Sequence, residues 1–239
     1  MPVTKPKGYV LWRGLSPINQ QPIVAVVTIT SANRKTGNMM QVWILNESCD
    51  PVQSIATGED VSICGNCPHR KNALGIRTCY VNVGQAPLSV YRTWRSGGYP
   101  HINTLSPDGK AKLFKGRGIR WGAYGDPACI PAHIVAECSA LASYHTAYTH
   151  QWRQPWAAAH RGLLMASCDN VTDHEDAKRS GWATFTVASV NARVTHAKQC
   201  PATVEHSQAQ CATCKLCNGA KSDIFVHAHG PSRKAVTYA

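Results

Sequence analysis

Seven of the eleven cysteines in this 239-residue chain crowd into two short stretches, and no other feature limits its possible folds as strongly. Cys64, Cys67 and Cys79 lie in SICGNCPHRKNALGIRTCY, and Cys200, Cys211, Cys214 and Cys217 lie in CPATVEHSQAQCATCKLCNG. Thiolates separated by two residues can face one ion from a single turn of backbone, and a third or fourth completes the shell. The odd cysteine count, the clustered spacing and an N-terminus without an export signal favour metal ligation over a disulfide framework. The expected location is the cytoplasm.

The second group supplies four thiolates, enough for a tetrahedral zinc site or a cubane iron–sulfur cluster. His206, His227 and His229 are candidate substitutes for one of them. The first group supplies three, which leaves an open coordination position of the kind a reactive centre needs. His69 could instead close a zinc site there, or a ligand could come from the other group. Spacing does not separate these options.

Between the cysteine groups the chain alternates strand-like and helix-like segments at intervals of about twenty residues. IRWGAYGDP (119–127), SYHTAYTHQW (143–152), LLMASCDN (163–170), WATFTVAS (182–189) and DIFVHAHG (223–230) read as strands. PAHIVAECSALAS (131–143), QPWAAAHRG (154–162) and DHEDAKRSG (173–181) read as helices. Earlier, 22–29 and 42–45 read as strands, 46–82 as a cysteine-rich loop insertion and 86–96 as a helix. Such alternation implies parallel βαβ units with right-handed crossovers. The expected fold is α/β: a single-domain (βα) barrel or partial barrel over 1–239 with two cysteine-rich metal-binding segments, the later one at 198–221. An apolar content of 44% suits a globular core, and no apolar run is long enough for a membrane span.

In such folds the carboxyl ends of the strands form the rim where sites assemble. Gly125 and Asp126 fall there: the glycine lets the backbone approach a ligand, and an exposed carboxylate can bind an amino group or act as a base. A tight turn would use the same residues. Asp169 is the second candidate catalytic carboxylate, with helix capping as its alternative role. Tyr148, His150 and Trp152 could stack on a base, or simply alternate along a half-buried strand. The isolated Cys49, Cys129, Cys138 and Cys168 read as small apolar groups.

The chain carries 25 Lys+Arg against 13 Asp+Glu, a net charge of +12, which points to a polyanion partner, nucleic acid first. The densest basic stretch, Lys110, Lys112, Lys115, Arg117 and Arg120, reads as a loop able to track phosphates.

Taken in order, CGNCPHRK…TCY, RWGAYGDP, ATFTVASVNA and CPATVEHSQAQCATCKLC…IFVHAHG resemble the phage gene 88 protein family over about residues 60–230. The resemblance implies a phage-type protein, located in the host cytoplasm, with a radical S-adenosylmethionine-like barrel. Cys64, Cys67 and Cys79 would hold an active 4Fe–4S cluster, Gly125 and Asp126 would help bind the S-adenosylmethionine cofactor, and the later four cysteines would hold an auxiliary cluster. The chain is also similar to guanine transglycosylases of the tRNA type and their DNA relatives. On that likeness Cys211, Cys214, Cys217 and His227 or His229 would bind zinc, and Asp126 and Asp169 would recognise and attack the base. The expected function is metal-dependent base modification of nucleic acid, DNA rather than RNA. The alternatives are base exchange with structural zinc, or a zinc-stabilised nucleic-acid-binding protein.

Overall fold

Residues Ile23 to Val27 have no exposed surface, because the strand that holds them is flanked on both edges and covered on both faces. In a computed structural model, which describes residues 5–189, 193–204 and 206–228, this strand β2 (Pro22–Thr28) pairs antiparallel with β1 (Gly8–Leu15) and β3 (Met40–Asn46). The chain then leaves the sheet for α1 (Pro51–Thr57), α2 (Val61–Cys64), α3 (Ala86–Arg95) and α4 (Pro107–Phe114). It returns as β4 (Gly118–Tyr124), parallel to β3. After α5 (Ala132–Leu141), β5 (Tyr144–Thr146) pairs parallel with β4 and completes a five-stranded sheet.

The second sheet begins one residue later with β6 (Tyr148–Thr149). It continues with β7 (Met165–Cys168), α6 (Val171–Arg179), β8 (Thr184–Ala188), β9 (Lys198–Gln199), α7 (Cys211–Cys214) and β10 (Ile224–His227). Its order is β6-β7-β8-β10-β9, every pair parallel. The sheets meet at Ala147, whose N–H donates to the Cys217 carbonyl at 3.2 Å and whose carbonyl accepts from Met165 N at 2.9 Å. The result is a mixed α/β domain with two sheets. From β3 onward, the strands β3, β4, β5 with β6, β7, β8 and β10 run parallel and sit side by side in chain order.

Local chemistry accounts for the element ends. Asp50 caps α1 by accepting from Val52 N and Gln53 N, Pro51 suits the first turn, and Gly58 ends the helix at φ 84°. Asn170 caps α6 by accepting from Asp173 N, with Asp173 early and Lys178 and Arg179 late, as the helix dipole favours. Trp121, fully buried on β4, donates its indole N–H to Ser139 Oγ at 3.0 Å and fastens α5 to the sheet.

Two expectations change in detail. The stretch 46–82 is not loop throughout, since Asp50-Pro51 and Val61–Cys64 start helices. The 143–152 strand is split at Ala147 where the later cysteine segment intrudes. Residues 190–192 of ATFTVASVNA, Glu205, and His229 with the end of IFVHAHG lie outside the described residues. Among the described residues no helix is long and apolar enough to cross a membrane.

Candidate metal centre

Parallel strands share one direction, so their carboxyl ends line one edge of the sheet. Asp126 follows β4, His150 follows β6 and Asp169 follows β7, while the first cysteine segment follows β3 and folds over them. His69, from that segment, places Nε2 2.9 Å from Asp169 Oδ1. Its Nδ1 lies 2.8 Å from Thr78 Oγ1. His150 Nε2 stands 3.4 Å from Asp169 Oδ2, and the two imidazoles meet edge to face with centroids 5.5 Å apart. Among the described residues, His69, His150 and Asp169 are the one trio of histidine, cysteine and carboxylate ligand atoms within 4.8 Å of one another.

The electrostatics of this trio follow from its burial. Burial opposes a charge on His150, yet the neighbouring Asp169 and Cys67 outweigh it and leave the imidazole pKa well above its ordinary value. Burial alone would raise Asp169; His150 and His69 reverse that and hold it below the usual carboxylate range.

Asp126 is at the strand end as expected, but it is buried, not exposed. Oδ1 accepts from Ala128 N at 3.0 Å and Oδ2 from His150 N at 2.8 Å, so both oxygens are spent on shaping the backbone. Burial raises its pKa against those hydrogen bonds. Gly125 adopts φ 77°, and a Cβ there would stand 2.8 Å from the Ile44 carbonyl oxygen. The glycine serves a close approach of β4 to β3.

Cys64, Cys67 and Cys79 lie within electrostatic reach of one another. Burial, then the neighbouring thiols and Asp60, pushes the Cys64 thiol far up; burial raises Cys79 against the opposing Arg77. The Tyr124 hydroxyl, in reach of Cys64 and Cys79, is buried with no hydrogen-bond partner. Arg70 ties the loop down through Gly65 O, Gly58 O and Asp60 Oδ1, and Gln151 Nε2 donates to Cys64 O at 3.0 Å.

The later four thiols lie within electrostatic reach of one another. Cys217 is pushed up to about 12, by burial first and then by the charges of Cys200, Cys211 and Cys214, with the Tyr148 hydroxyl as an opposing partner. All eleven cysteines are free thiols. Cys129, Cys138 and Cys168 are buried, and Cys168 Sγ faces the Ala166 carbonyl, so it sits in the interior and not on the rim.

The basic stretch is not one loop. Lys110 and Lys112 lie on α4, Lys110 bonded to Asn103 and Lys112 paired with Asp108. Lys115 caps that helix, Arg117 donates to Ile29 O, and partly buried Arg120 donates to Tyr80 Oη. A surface depression of about 410 Å³ lies elsewhere, lined by Trp152, Arg153, Arg161, Arg179 and Trp182 among others. Arg153 stacks on Trp152 at 3.8 Å.

Comparison of the chain with protein-family models, with curated proteins and with solved structures finds no match. The sequence pattern placed Asp169 at a strand end and His150 late in a strand but joined neither to His69. The available signal was that two rim positions and a histidine inside the cysteine loop must share the same edge of a parallel sheet.

Proposed function

We propose that the chain is a metal-dependent enzyme that modifies nucleic acid, with DNA as the favoured substrate and with its reactive centre on the carboxyl rim of a partial (βα) barrel. The observation that carries this reading is the placement of the Cys64–Cys79 loop. It leaves the first of the successive parallel strands and folds over the carboxyl ends of the next three, where Cys67 meets His150. Sites in parallel α/β folds assemble on that edge.

The residues present fit an iron–sulfur cluster. Cys64 and Cys79, half-buried thiols whose ionisation burial disfavours, would gain from a cationic centre, and the orphaned Tyr124 hydroxyl would supply a donor to it. Cys64, Cys67 and Cys79 would hold the cluster, and Cys200, Cys211, Cys214 and Cys217 a second centre. With S-adenosylmethionine, such a cluster supplies radical chemistry. Around it, Asp126 fixes the backbone of His150, and Arg70 brings a guanidinium charge to Cys64 and Cys67. A base would reach this rim single-stranded or flipped out of its stack. The net charge of +12 supports a polyanion partner.

Base exchange through an aspartate is a weaker reading, because Asp126 has both oxygens engaged in the interior and only Asp169 remains for the chemistry. Anaerobic purification tests the proposal. The expected protein is brown, with about four iron and four sulfide for each cluster, and it cleaves S-adenosylmethionine reductively. Colourless protein carrying only zinc, with no cleavage, overturns it. DNA binding that weakens steeply with salt but yields no altered base identifies a binding protein instead.

A further inference from the structure

We infer that His69, His150 and Asp169 form a mononuclear divalent-cation site, separate from the thiolate centres and independent of the iron–sulfur reading above. Two imidazoles and one carboxylate are a donor set for Fe²⁺, Mn²⁺ or Zn²⁺ that leaves positions open for water or a substrate oxygen.

Four observations converge on it. First, the spacing fits. Donors held about 2.1 Å from one ion stand roughly 3 to 3.5 Å apart, and Asp169 places Oδ1 2.9 Å from His69 Nε2 and Oδ2 3.4 Å from His150 Nε2. Second, His150 Nε2 is buried and, despite that approach, makes no hydrogen bond of acceptable geometry. A buried ring nitrogen left so is costly unless a partner takes it, and a cation lying between it and the carboxylate would do so. Third, His69 has its other nitrogen 2.8 Å from Thr78 Oγ1. Donation from Nδ1–H to that hydroxyl would fix the tautomer and turn the Nε2 lone pair toward the ion, the usual support of a metal-bound imidazole. Fourth, the backbone of His150 is fixed by Asp126 Oδ2 at 2.8 Å, so the ligands are held from three connections of the fold. Cys67 touches His150 without belonging to the trio.

The site takes a hard or borderline divalent ion and presents it to an oxygen ligand on the rim. Mn²⁺ is the discriminating probe, because it prefers nitrogen and oxygen donors and leaves thiolates alone. Metal-free full-length chain is titrated with Mn²⁺ and followed by electron paramagnetic resonance. The expected result is one bound ion per chain. His69→Gln and Asp169→Asn each abolish it, and Thr78→Val weakens it about tenfold. A Cys64→Ser/Cys79→Ser double variant keeps it, which separates this site from the cluster. Lack of binding by the wild-type chain overturns the assignment. So does binding that survives both His69→Gln and Asp169→Asn, or that disappears with the two cysteines.

Discussion

Arg120 Nη2 donates to Tyr80 Oη at 2.8 Å, tying β4 to the residue that follows Cys79. The same guanidinium lies within electrostatic reach of Cys211 and Tyr148. Tyr148 in turn reaches Cys217, and His150, two residues on, reaches Cys67. The two cysteine segments are therefore linked through Arg120 and the stretch 148–150, although well over a hundred residues separate them in the chain.

Cysteine replacement is expected to divide the metal content. Cys67→Ser removes iron from the first centre and leaves the metal of the second, Cys214→Ser does the reverse, and Cys168→Ser changes neither. Metal and sulfide analysis of purified variants checks this. Equal losses in all three would sink the two-centre arrangement.

Tyr124→Phe is expected to act with opposite signs in the two metal states. In the metal-free chain it deletes a buried hydroxyl that has no partner, a gain of about 1–3 kcal/mol. In the loaded chain it deletes a donor to a cluster sulfur and speeds loss of iron. Urea melts with and without metal read both effects; an apo protein that Tyr124→Phe weakens would show that the hydroxyl is satisfied.

Gly125→Ala is expected to destabilise the fold by about 1–3 kcal/mol, since φ is 77° and the new Cβ meets Ile44. Gly97, at φ 76° with nothing within 4 Å, is the control that carries the left-handed cost alone. Chemical denaturation of both variants isolates the Ile44 contact as their difference. Equal losses would show that β3 and β4 have room to move apart.

Acid is expected to weaken the protein before its carboxylates titrate. His160 is buried with Nε2 2.8 Å from the Ile130 carbonyl, and His174 is buried beside Thr184 and Thr186; burial lowers both from 6.5. The unfolded chain then binds more protons than the folded one between the depressed value and 6.5, so stability is full above that pH and falls as pH drops through it. His160→Gln, which keeps a donor for Ile130, is expected to shrink the slope of stability against pH in this window. A slope that does not change would show that His160 titrates normally.

The parallel segments after residue 118 were legible because alternation of strand and helix imposes its own apolar rhythm. The match extends from IRWGAYGDP to the capped helix that begins with Val171. α4 was not legible: the basic stretch from Lys110 reads as a loop, and the Ser106 cap on Gly109 N and the buried Phe114 turn its first part into a helix. The burial of Asp126 was equally hidden, since the tripeptide Gly-Asp-Pro is the same whether its carboxylate faces solvent or two backbone amides. The trio of His69, His150 and Asp169 has no sequence spacing at all. It is created by the shared direction of β6 and β7 and by the fold of the cysteine loop over them.

Ala147 spends its N–H on the Cys217 carbonyl, so the later cysteine segment is a wedge driven between two runs of one strand. Whatever grips the sulfurs of that segment also clamps the seam between the two sheets. Stripping the ion is thus expected to open the backbone near Ala147 to proteases well before the hydrophobic interior melts.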